Sequence, residues 1–246
     1  MSKLSFENFG YVSNKSKDFT IASSRYLHQK KHEKIILNDI IKKLSVKSDD
    51  TILDIGCNVG THLIPLYFFA DKIYGIDHKK CLQKLRERLP EIPKSNLIPG
   101  NFLDLKIKKK FSKILCYSVL HYLKNEREVL FFVKKSLKIL KKGGILMLGD
   151  VPNRNLEKNF FASKKGKKWQ KKFDFERIQF RKKNKPESIL YYLKNKKKDN
   201  FCVTIDNNLI KNLILKLKKK NKRIKRFKHP LNFPFSQTRE DIIIYK

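Results

Sequence analysis

Apolar positions along the chain alternate between helical spacing and short continuous runs. A helical spacing of isoleucine and leucine predicts an amphipathic helix over roughly 30–45. Continuous apolar runs bounded by turn residues predict buried strands over 51–55, 72–76, 96–99, 113–117 and 145–148. Helical patterns lie between them, over 61–70, 81–89 and 126–140. This alternation predicts an α/β fold, a parallel sheet with helices on both faces.

The alternation ends near residue 150. Residues 151–200 are rich in lysine and aromatic residues without a clear period, which indicates an insertion or a substrate lid. A helix is predicted over 207–217, with Thr204 or Asp206 as its N-cap. Two further strands are predicted over 223–228 and 240–245.

Four segments follow from this organisation. We expect an N-terminal arm and helix (1–45), a ligand-binding core (46–150), a basic insertion or substrate lid (151–200), and a C-terminal helix with the last two strands of the same domain (201–246). The arm, polar with scattered aromatic residues, is expected to be irregular or to form short helices.

The chain carries 58 Lys and Arg against 23 Asp and Glu, a formal net charge of +35. Such a charge is typical of proteins that bind nucleic acid. However, the cations are 48 Lys and only 10 Arg, and Arg is the residue that contacts phosphates and bases in pairs of hydrogen bonds. Lys, Asn and Ile share A/T-rich codons, so a biased genome also explains the charge. Nucleic acid is therefore the less favoured partner.

The four cysteines, Cys57, Cys81, Cys116 and Cys202, are too far apart for a paired metal-binding motif, so no metal site is expected. They are typical of reduced thiols in a cytoplasmic protein. The N-terminal residues lack the apolar segment of a signal peptide. The longest apolar stretch, 63–70, is far shorter than the ~18 residues that cross a bilayer. We expect a cytoplasmic chain without a membrane span; its oligomeric state is open.

The strongest local signal is the glycine turn after the first predicted strand, which reads LDIGCNVG over 53–60. Glycines there let the backbone approach a ligand, and the following helix offers free N–H groups. Asp77 ends the second predicted strand, where a carboxylate can accept hydrogen bonds from two ribose hydroxyls. The dinucleotide pattern G-x-G-x-x-G fails, because no glycine follows Gly60 within the next helical turn. These features predict a nucleoside site and disfavour NAD.

The run LDIGCNVG resembles the first motif of class I S-adenosylmethionine-dependent methyltransferases, and YGID resembles their acidic ribose motif. The segments 100–104, 111–123 and 137–146 resemble the family's adenine, fourth-strand and fifth-strand motifs, and TREDIIIYK its antiparallel seventh strand. The resemblance is strong over about 50–150. It implies a Rossmann-like, doubly wound, mostly parallel seven-stranded sheet with an antiparallel last hairpin strand. It also implies S-adenosyl-L-methionine as the cofactor.

The resemblance assigns roles to individual residues. Asp54 would hold the methionine amino group, Asp77 the ribose, and Asn101 the adenine amino group through its side-chain oxygen. Asn58, Asn101 and Ser112 stand where the family commonly has Gly, Asp and Asp. The implied cofactor-binding residues are Asp54, Gly56, Cys57, Asn58, Gly60, Asp77, His78, Asn101, Phe102 and Tyr117.

Two residues at predicted strand ends are candidate catalytic bases. His121 follows the fourth strand and can deprotonate a substrate hydroxyl near neutral pH, or it is a structural residue. Asp150 follows the fifth strand and is either the rival base or a turn residue. The basic stretch 164–172 lies beyond these motifs and is expected to be either a lid over a polar or anionic substrate or a solvated face.

The expected activity is methyl transfer to an oxygen or nitrogen of a small molecule or a sugar-linked intermediate. One alternative is an RNA methyltransferase, which only the charge supports. The Asp/Asn-Pro-Pro-aromatic motif of amino-directed base methylases is absent, because 115–118 reads LCYS. A second alternative is a non-catalytic S-adenosylmethionine-binding partner of another enzyme.

Overall fold

The computed structural model describes residues 6–183, 185–193, 202–219 and 222–246. The expected arm, lid and C-terminal segment therefore each include a few positions outside the described residues: 1–5, 184, 194–201 and 220–221.

The described residues form a seven-stranded sheet of order β3-β2-β1-β4-β5-β7-β6. Its strands are β1 (Thr51–Ile55), β2 (Lys72–Asp77), β3 (Leu97–Pro99), β4 (Phe111–Tyr117), β5 (Leu140–Pro152), β6 (Arg223–Lys228) and β7 (Arg239–Tyr245). The first five strands pair in parallel, and β7 pairs antiparallel with both β5 and β6. The predicted fold class is therefore confirmed, including the antiparallel strand in the last hairpin.

Helices lie on both faces of this sheet. They are α1 (Phe6–Lys15), α2 (Phe19–Ala22), α3 (Glu33–Leu44), α4 (Leu63–Tyr67), α5 (Lys79–Arg88), α6 (Glu126–Ile139), α7 (Arg154–Ala162), α8 (Lys164–Lys182), α9 (Ile189–Tyr192) and α10 (Asn207–Lys218). None of the helices in the described part of the chain is long and apolar enough to cross a membrane.

The alternating side chains of each strand supply two cores. Ile52 packs with the apolar faces of α3, α4 and α5 on one side of the sheet. Leu53 and Ile55 pack with α6 and α10 on the other side. All five residues of β1 are buried, as expected for a central parallel strand. The carboxyl ends of β1, β2 and β4 therefore open at one edge between the two helical layers.

The boundary between α6 and β5 differs from the prediction, whereas the N-cap of α10 is one of the two predicted residues. The strand was predicted over 145–148, yet α6 ends at Ile139 and β5 begins at Leu140, so Lys141, Lys142, Gly143 and Gly144 belong to the strand. Leu140 pairs with Phe111, and Gly143 donates its N–H to the carbonyl of Lys246, so these residues extend the sheet. The N-cap of α10 is Asp206, whose carboxylate accepts from the Leu209 N–H at 2.9 Å.

The segment without a clear sequence period is largely helical. Ser163 caps α8 by accepting a hydrogen bond from the Gly166 N–H at 3.0 Å. A Cβ at Gly166 would collide with the carbonyl of Phe160, so a glycine permits the sharp corner between α7 and α8. Only Gly166 and Phe173 of α8 are buried, which explains why its sequence lacks a continuous apolar stripe.

Candidate active site

A cavity of about 1050 Å³ lies where the parallel strands end at their carboxyl termini. Asp54 of β1, Asp77 of β2, Tyr117 of β4 and Asp150 of β5 all contribute to its wall. Parallel sheets of this type place ligands at this edge, because the connections to the helices diverge there. We call the part near Asp54 and Asp77 the cofactor end, and the part beyond Tyr117 the acceptor end.

Asp54 is 2% exposed and lines the cofactor end. Burial, with the nearby Asp77 carboxylate, raises the pKa of Asp54 to about 8. The carboxyl group is therefore largely protonated at neutral pH until a cation approaches it. An ammonium group of a ligand would stabilise the ionised form, so the side chain is suited to a positively charged partner.

Asp77 holds the glycine turn in place. One carboxylate oxygen accepts from the Asn58 N–H at 2.7 Å, and the other accepts from the His78 N–H at 2.6 Å. Burial raises the pKa of Asp77, although these two hydrogen bonds act in the opposite direction. A carboxylate oxygen has room for a second donor, so both oxygens can also accept from ligand hydroxyls.

The backbone of the glycine turn approaches the cavity closely. Gly56 has φ +83°, and a Cβ there would collide with the side chain of Val119. Asn58 has φ +49°, a left-handed conformation that asparagine tolerates better than most residues. This conformation of the turn therefore requires glycine at position 56 and a permissive residue at position 58.

Most of the predicted cofactor residues line the cavity, including Cys57, Asn101, Phe102 and Tyr117. The Asn101 side-chain oxygen accepts from the Leu103 N–H at 3.0 Å, and the Phe102 ring packs 4.9 Å from that of Phe132. Burial raises the pKa of the Cys57 thiol well above its usual value, so the group is an uncharged packed thiol.

Gly60 and His78 lie outside the cavity wall. A Cβ at Gly60 would press on Ile64 and Leu85, so this glycine allows the turn to pack on the core. The His78 ring nitrogen Nδ1 accepts from the Lys80 N–H at 3.2 Å and caps α5, while Nε2 lies 3.1 Å from Glu7. The structure thus gives these two predicted residues supporting positions.

The two candidate bases differ in their surroundings. His121 lines the cavity, half-buried, with its ring 4.1 Å from that of Tyr122. Asp150 accepts from Arg239 Nη1 at 2.9 Å and from the Ser118 hydroxyl. Burial alone would raise the pKa of Asp150, but the positive charges around it, with Arg239 first, hold this pKa below its usual value. A carboxylate paired in this way is a weak proton acceptor.

Arg25 and His62 are among the acceptor-end residues that the sequence did not predict. Arg25, from the N-terminal arm, places its Nε 3.1 Å from a carboxylate oxygen of Glu33 and its guanidinium 5.6 Å from the centre of the Tyr117 ring. His62 packs edge-on against Tyr117 at 4.9 Å. Burial, with the nearby Arg25 charge, lowers the pKa of His62 to about 3, so its ring is neutral. No local sequence signal indicates that the arm returns to the strand ends.

The helix α8 forms one wall of the acceptor end. Gln170, Phe173 and Arg177, at helical spacing, line the cavity. Trp169 stacks on Phe173 with ring centres 4.9 Å apart, and both rings contact Phe235. The lysines of the basic stretch are exposed and do not line the cavity. In the sequence, the helical spacing of Gln170, Phe173 and Arg177 could have indicated this wall, whereas the lysines could not.

Comparisons with known proteins bear on this cavity. A family model described as a methyltransferase domain matches residues 46–197. The chain belongs to this methyltransferase family. The predicted enzyme class, an S-adenosylmethionine-dependent methyltransferase, is thereby confirmed, and with it the methyl donor.

One curated relative is the ubiquinone biosynthesis O-methyltransferase of Pelagibacter ubique, 29% identical over 136 residues. The match covers 52% of this chain and 55% of that protein, so the chain spans about half the length of the curated relative it matches.

Two solved structures share the fold. The N-methyltransferase NodS from Bradyrhizobium japonicum, in complex with S-adenosyl-L-homocysteine, has a TM-score of 0.61 at 12% identity, with 97% of this chain and 98% of that chain covered. Phosphoethanolamine N-methyltransferase 1 of Haemonchus contortus has a TM-score of 0.63 at 14% identity, with 98% of this chain and 48% of that chain covered.

The residues at the cofactor end fit the methyl donor. Asp54 supplies a buried carboxyl group whose pKa is raised by burial and by the nearby Asp77 carboxylate. Asp77 retains acceptor capacity for ribose hydroxyls, and a Cβ at Gly56 would collide with the Val119 side chain in the cavity wall. S-adenosylmethionine is an amino acid joined to a nucleoside. The buried carboxyl group suits its amino group, and the carboxylate of Asp77 can accept hydrogen bonds from its ribose.

Proposed function

We propose that this chain transfers a methyl group to an oxygen or nitrogen of a small molecule bound at the acceptor end. The observation that carries the proposal is the single cavity that joins the two ends, with the acceptor end walled by residues from the arm, α8 and the loop before β7. A small molecule, free or as the acceptor portion of a sugar-linked intermediate, is the ligand class that a cavity of about 1050 Å³ accommodates.

The chain's own residues would bind and orient both reactants. S-adenosylmethionine, when bound, supplies an electrophilic methyl group on a sulfonium. We assign the amino group of this cofactor to Asp54 and its ribose to Asp77. Cys57, Asn58, Asn101, Phe102 and Tyr117 would line its remaining surface, while the fixed geometry of Gly56 keeps the turn open.

The acceptor would lie beyond Tyr117, among aromatic side chains. Tyr26, Tyr122, Phe161, Phe173 and Phe235 line this part of the cavity. Aromatic walls exclude water and hold a flat or apolar acceptor by area and stacking. The relative from Pelagibacter ubique is named as an O-methyltransferase of ubiquinone biosynthesis, which supports an oxygen acceptor here.

His121 is the residue that we assign as general base. It lines the cavity, and an imidazole has a pKa suited to proton transfer near neutral pH. Asp150 is assigned a positioning role instead, because Arg239 and Ser118 occupy its carboxylate. His62 is neutral and can only donate or accept a hydrogen bond.

We further propose that the protein acts in the cytoplasm. Cys57, Cys81 and Cys116 are buried thiols outside any disulfide, which suits a reducing compartment.

The test is incubation of the purified chain with S-adenosylmethionine labelled in its methyl group and with separated metabolite, lipid, saccharide and RNA fractions. Label in a small-molecule fraction supports the proposal. Label in RNA would instead establish the alternative that the charge suggests. Cofactor binding without transfer to any fraction would point to a non-catalytic partner protein.

A further inference from the structure

The helix α8 has a second face that the cavity does not use. We propose that this outer face binds an anionic phospholipid surface. The site would hold the chain on the lipid with the wall of the acceptor end next to it. A lysine field with two exposed apolar side chains in its middle defines this face.

The two faces follow from the turn of the helix, about 100° per residue. Gln170, Phe173 and Arg177 point to the cavity. On the opposite side lie Phe175, which is 61% exposed, and Ile178, which is 44% exposed. Seven exposed lysines share this side: Lys164, Lys165, Lys167, Lys168, Lys171, Lys172 and Lys182.

Lysine alone does not single out this face, because 48 lysines are spread over the chain. This face also carries exposed apolar side chains beside its lysines, and it lies on the helix that forms a wall of the acceptor end. Phe175 stands three, four and seven residues from Lys172, Lys171 and Lys168, so all three flank it on the helix surface. Ile178 follows one turn later. A helix with this arrangement lies flat in a lipid interface, with apolar groups inserted and lysines on the headgroups.

A lipid surface fits this face better than nucleic acid does. An exposed isoleucine has no partner on a phosphate backbone, whereas it gains free energy by leaving water for the acyl boundary. The exposed cations named above are all lysines, which act on headgroups as point charges and can extend their stems along the interface. Arg177, the arginine in the middle of the helix, lies on the inner face.

Cosedimentation of the full chain with vesicles tests the site. We expect binding to vesicles of phosphatidylcholine mixed with phosphatidylglycerol, and little binding to phosphatidylcholine alone. Changing Lys167, Lys168 and Lys171 to Ser should weaken binding at least tenfold, since three cations that attract the anionic headgroups are lost. The pair Phe175→Ser and Ile178→Ser should weaken it about tenfold with no change in charge.

The matched control changes three exposed lysines elsewhere, Lys106, Lys108 and Lys142, to Ser. This variant carries the same change in charge and should bind vesicles within about twofold of the unchanged chain. An equal loss in the control, or no effect of the Phe175/Ile178 pair, would overturn the proposal in favour of general basicity. So would binding to RNA, in gel shifts at the same salt, without binding to vesicles. Vesicle binding is measured without methyl transfer, so it succeeds or fails independently of the proposed acceptor.

Discussion

The cofactor end and the acceptor end of the cavity are built in different ways. The cofactor end comes from two adjacent strands and their turns, with Asp54 and Asp77 only a short stretch of chain apart. The acceptor end combines Arg25 from the arm, Arg177 from α8 and Arg239 from β7. The first is therefore encoded in a local motif, whereas the second exists only after the whole chain has folded.

The two ends also differ in how their charges are balanced. At the cofactor end, burial raises the pKa values of both Asp54 and Asp77. At the acceptor end, Arg25 pairs with Glu33, and Arg239 pairs with Asp150. The cofactor end thus offers carboxyl groups that can pair with a cation from outside the chain, whereas these charges of the acceptor end are paired within the chain. Each prediction below acts on one end and should leave the other unchanged.

The largest effect is expected at the acceptor end. His121→Ala should lower turnover roughly a hundredfold, because a general base contributes about that much or more. Affinity for S-adenosylhomocysteine should stay nearly constant, as measured by calorimetry. Turnover is measured on the acceptor that the labelling experiment identifies. A loss below about fivefold would return His121 to a structural role.

Asp150→Asn tests the other candidate base. If Asp150 positions Arg239 and Ser118, its loss should change the acceptor KM more than the shape of the pH profile. Disappearance of the acidic limb of the profile in this variant, but not in the His121 variant, would make Asp150 the base.

Asp77→Ala should weaken S-adenosylhomocysteine binding by about 2–3 kcal/mol, because ribose hydroxyls lose a charged acceptor. The same change removes the acceptor of the Asn58 and His78 N–H groups, so a lower melting temperature is also expected. Asp77→Asn, which keeps one side-chain oxygen, should bind with intermediate affinity. Unchanged affinity in a folded Ala variant would show that the ribose lies elsewhere.

Asp54 should make cofactor binding depend on pH. Because its pKa is raised to about 8, binding of an ammonium group at neutral pH must release a proton. Affinity should therefore rise by close to tenfold from about pH 6 to about pH 7 and level off above about pH 8. Calorimetry in buffers of different ionisation enthalpy measures the released proton. A pH-independent affinity would contradict the assignment.

The same group makes a prediction for stability. A carboxyl whose pKa is raised on folding stabilises the fold below its unfolded pKa, and this contribution is lost as the pH rises to about 8. Asp54→Asn removes the ionisation, so its melting temperature should exceed that of the unchanged chain at about pH 8 and approach it at low pH. If Asp54→Asn instead melted at a lower temperature than the unchanged chain at about pH 8, the raised pKa of Asp54 would be contradicted.

The smallest effects separate the two faces of α8. Arg177→Gln, on the inner face, should raise the acceptor KM about tenfold, because one charged partner in the cavity wall is lost. Changing Lys167, Lys168 and Lys171 to Ser should leave the KM of a water-soluble acceptor within about twofold. The reverse ranking would mean that the lysines, and not the inner face, contact the acceptor.

The sequence predicted the parts of the fold that local patterns specify. The strand β1 was predicted with its observed bounds, because a short, mostly apolar run of five residues directly precedes a glycine turn. The helix α8 was not predicted, because Phe173 and Gly166 are its only buried residues and its other inward side chains face a cavity. A helix that borders a cavity needs no continuous apolar stripe, so the usual periodicity is absent.

The cofactor end was also the more predictable part of the site. Asp54, Asp77 and the glycine turn carry a spacing that chemistry requires, and the structure brings them to one cavity wall. Arg25 and His62 carry no such spacing, since their roles depend on contacts with Tyr117 across the fold. His78 resembled a cofactor residue by position alone, whereas its ring caps α5.

Calorimetric titration with S-adenosylhomocysteine tests the division of the cavity most directly, with NAD as the competing ligand. The chain should bind S-adenosylhomocysteine and not NAD. Asp54→Asn should weaken this binding about tenfold or more, because a carboxylate partner of the ammonium group is lost. Arg177→Gln should bind it like the unchanged chain. Binding of NAD, or equal losses in the two variants, would contradict a cofactor end that is separate from the acceptor end.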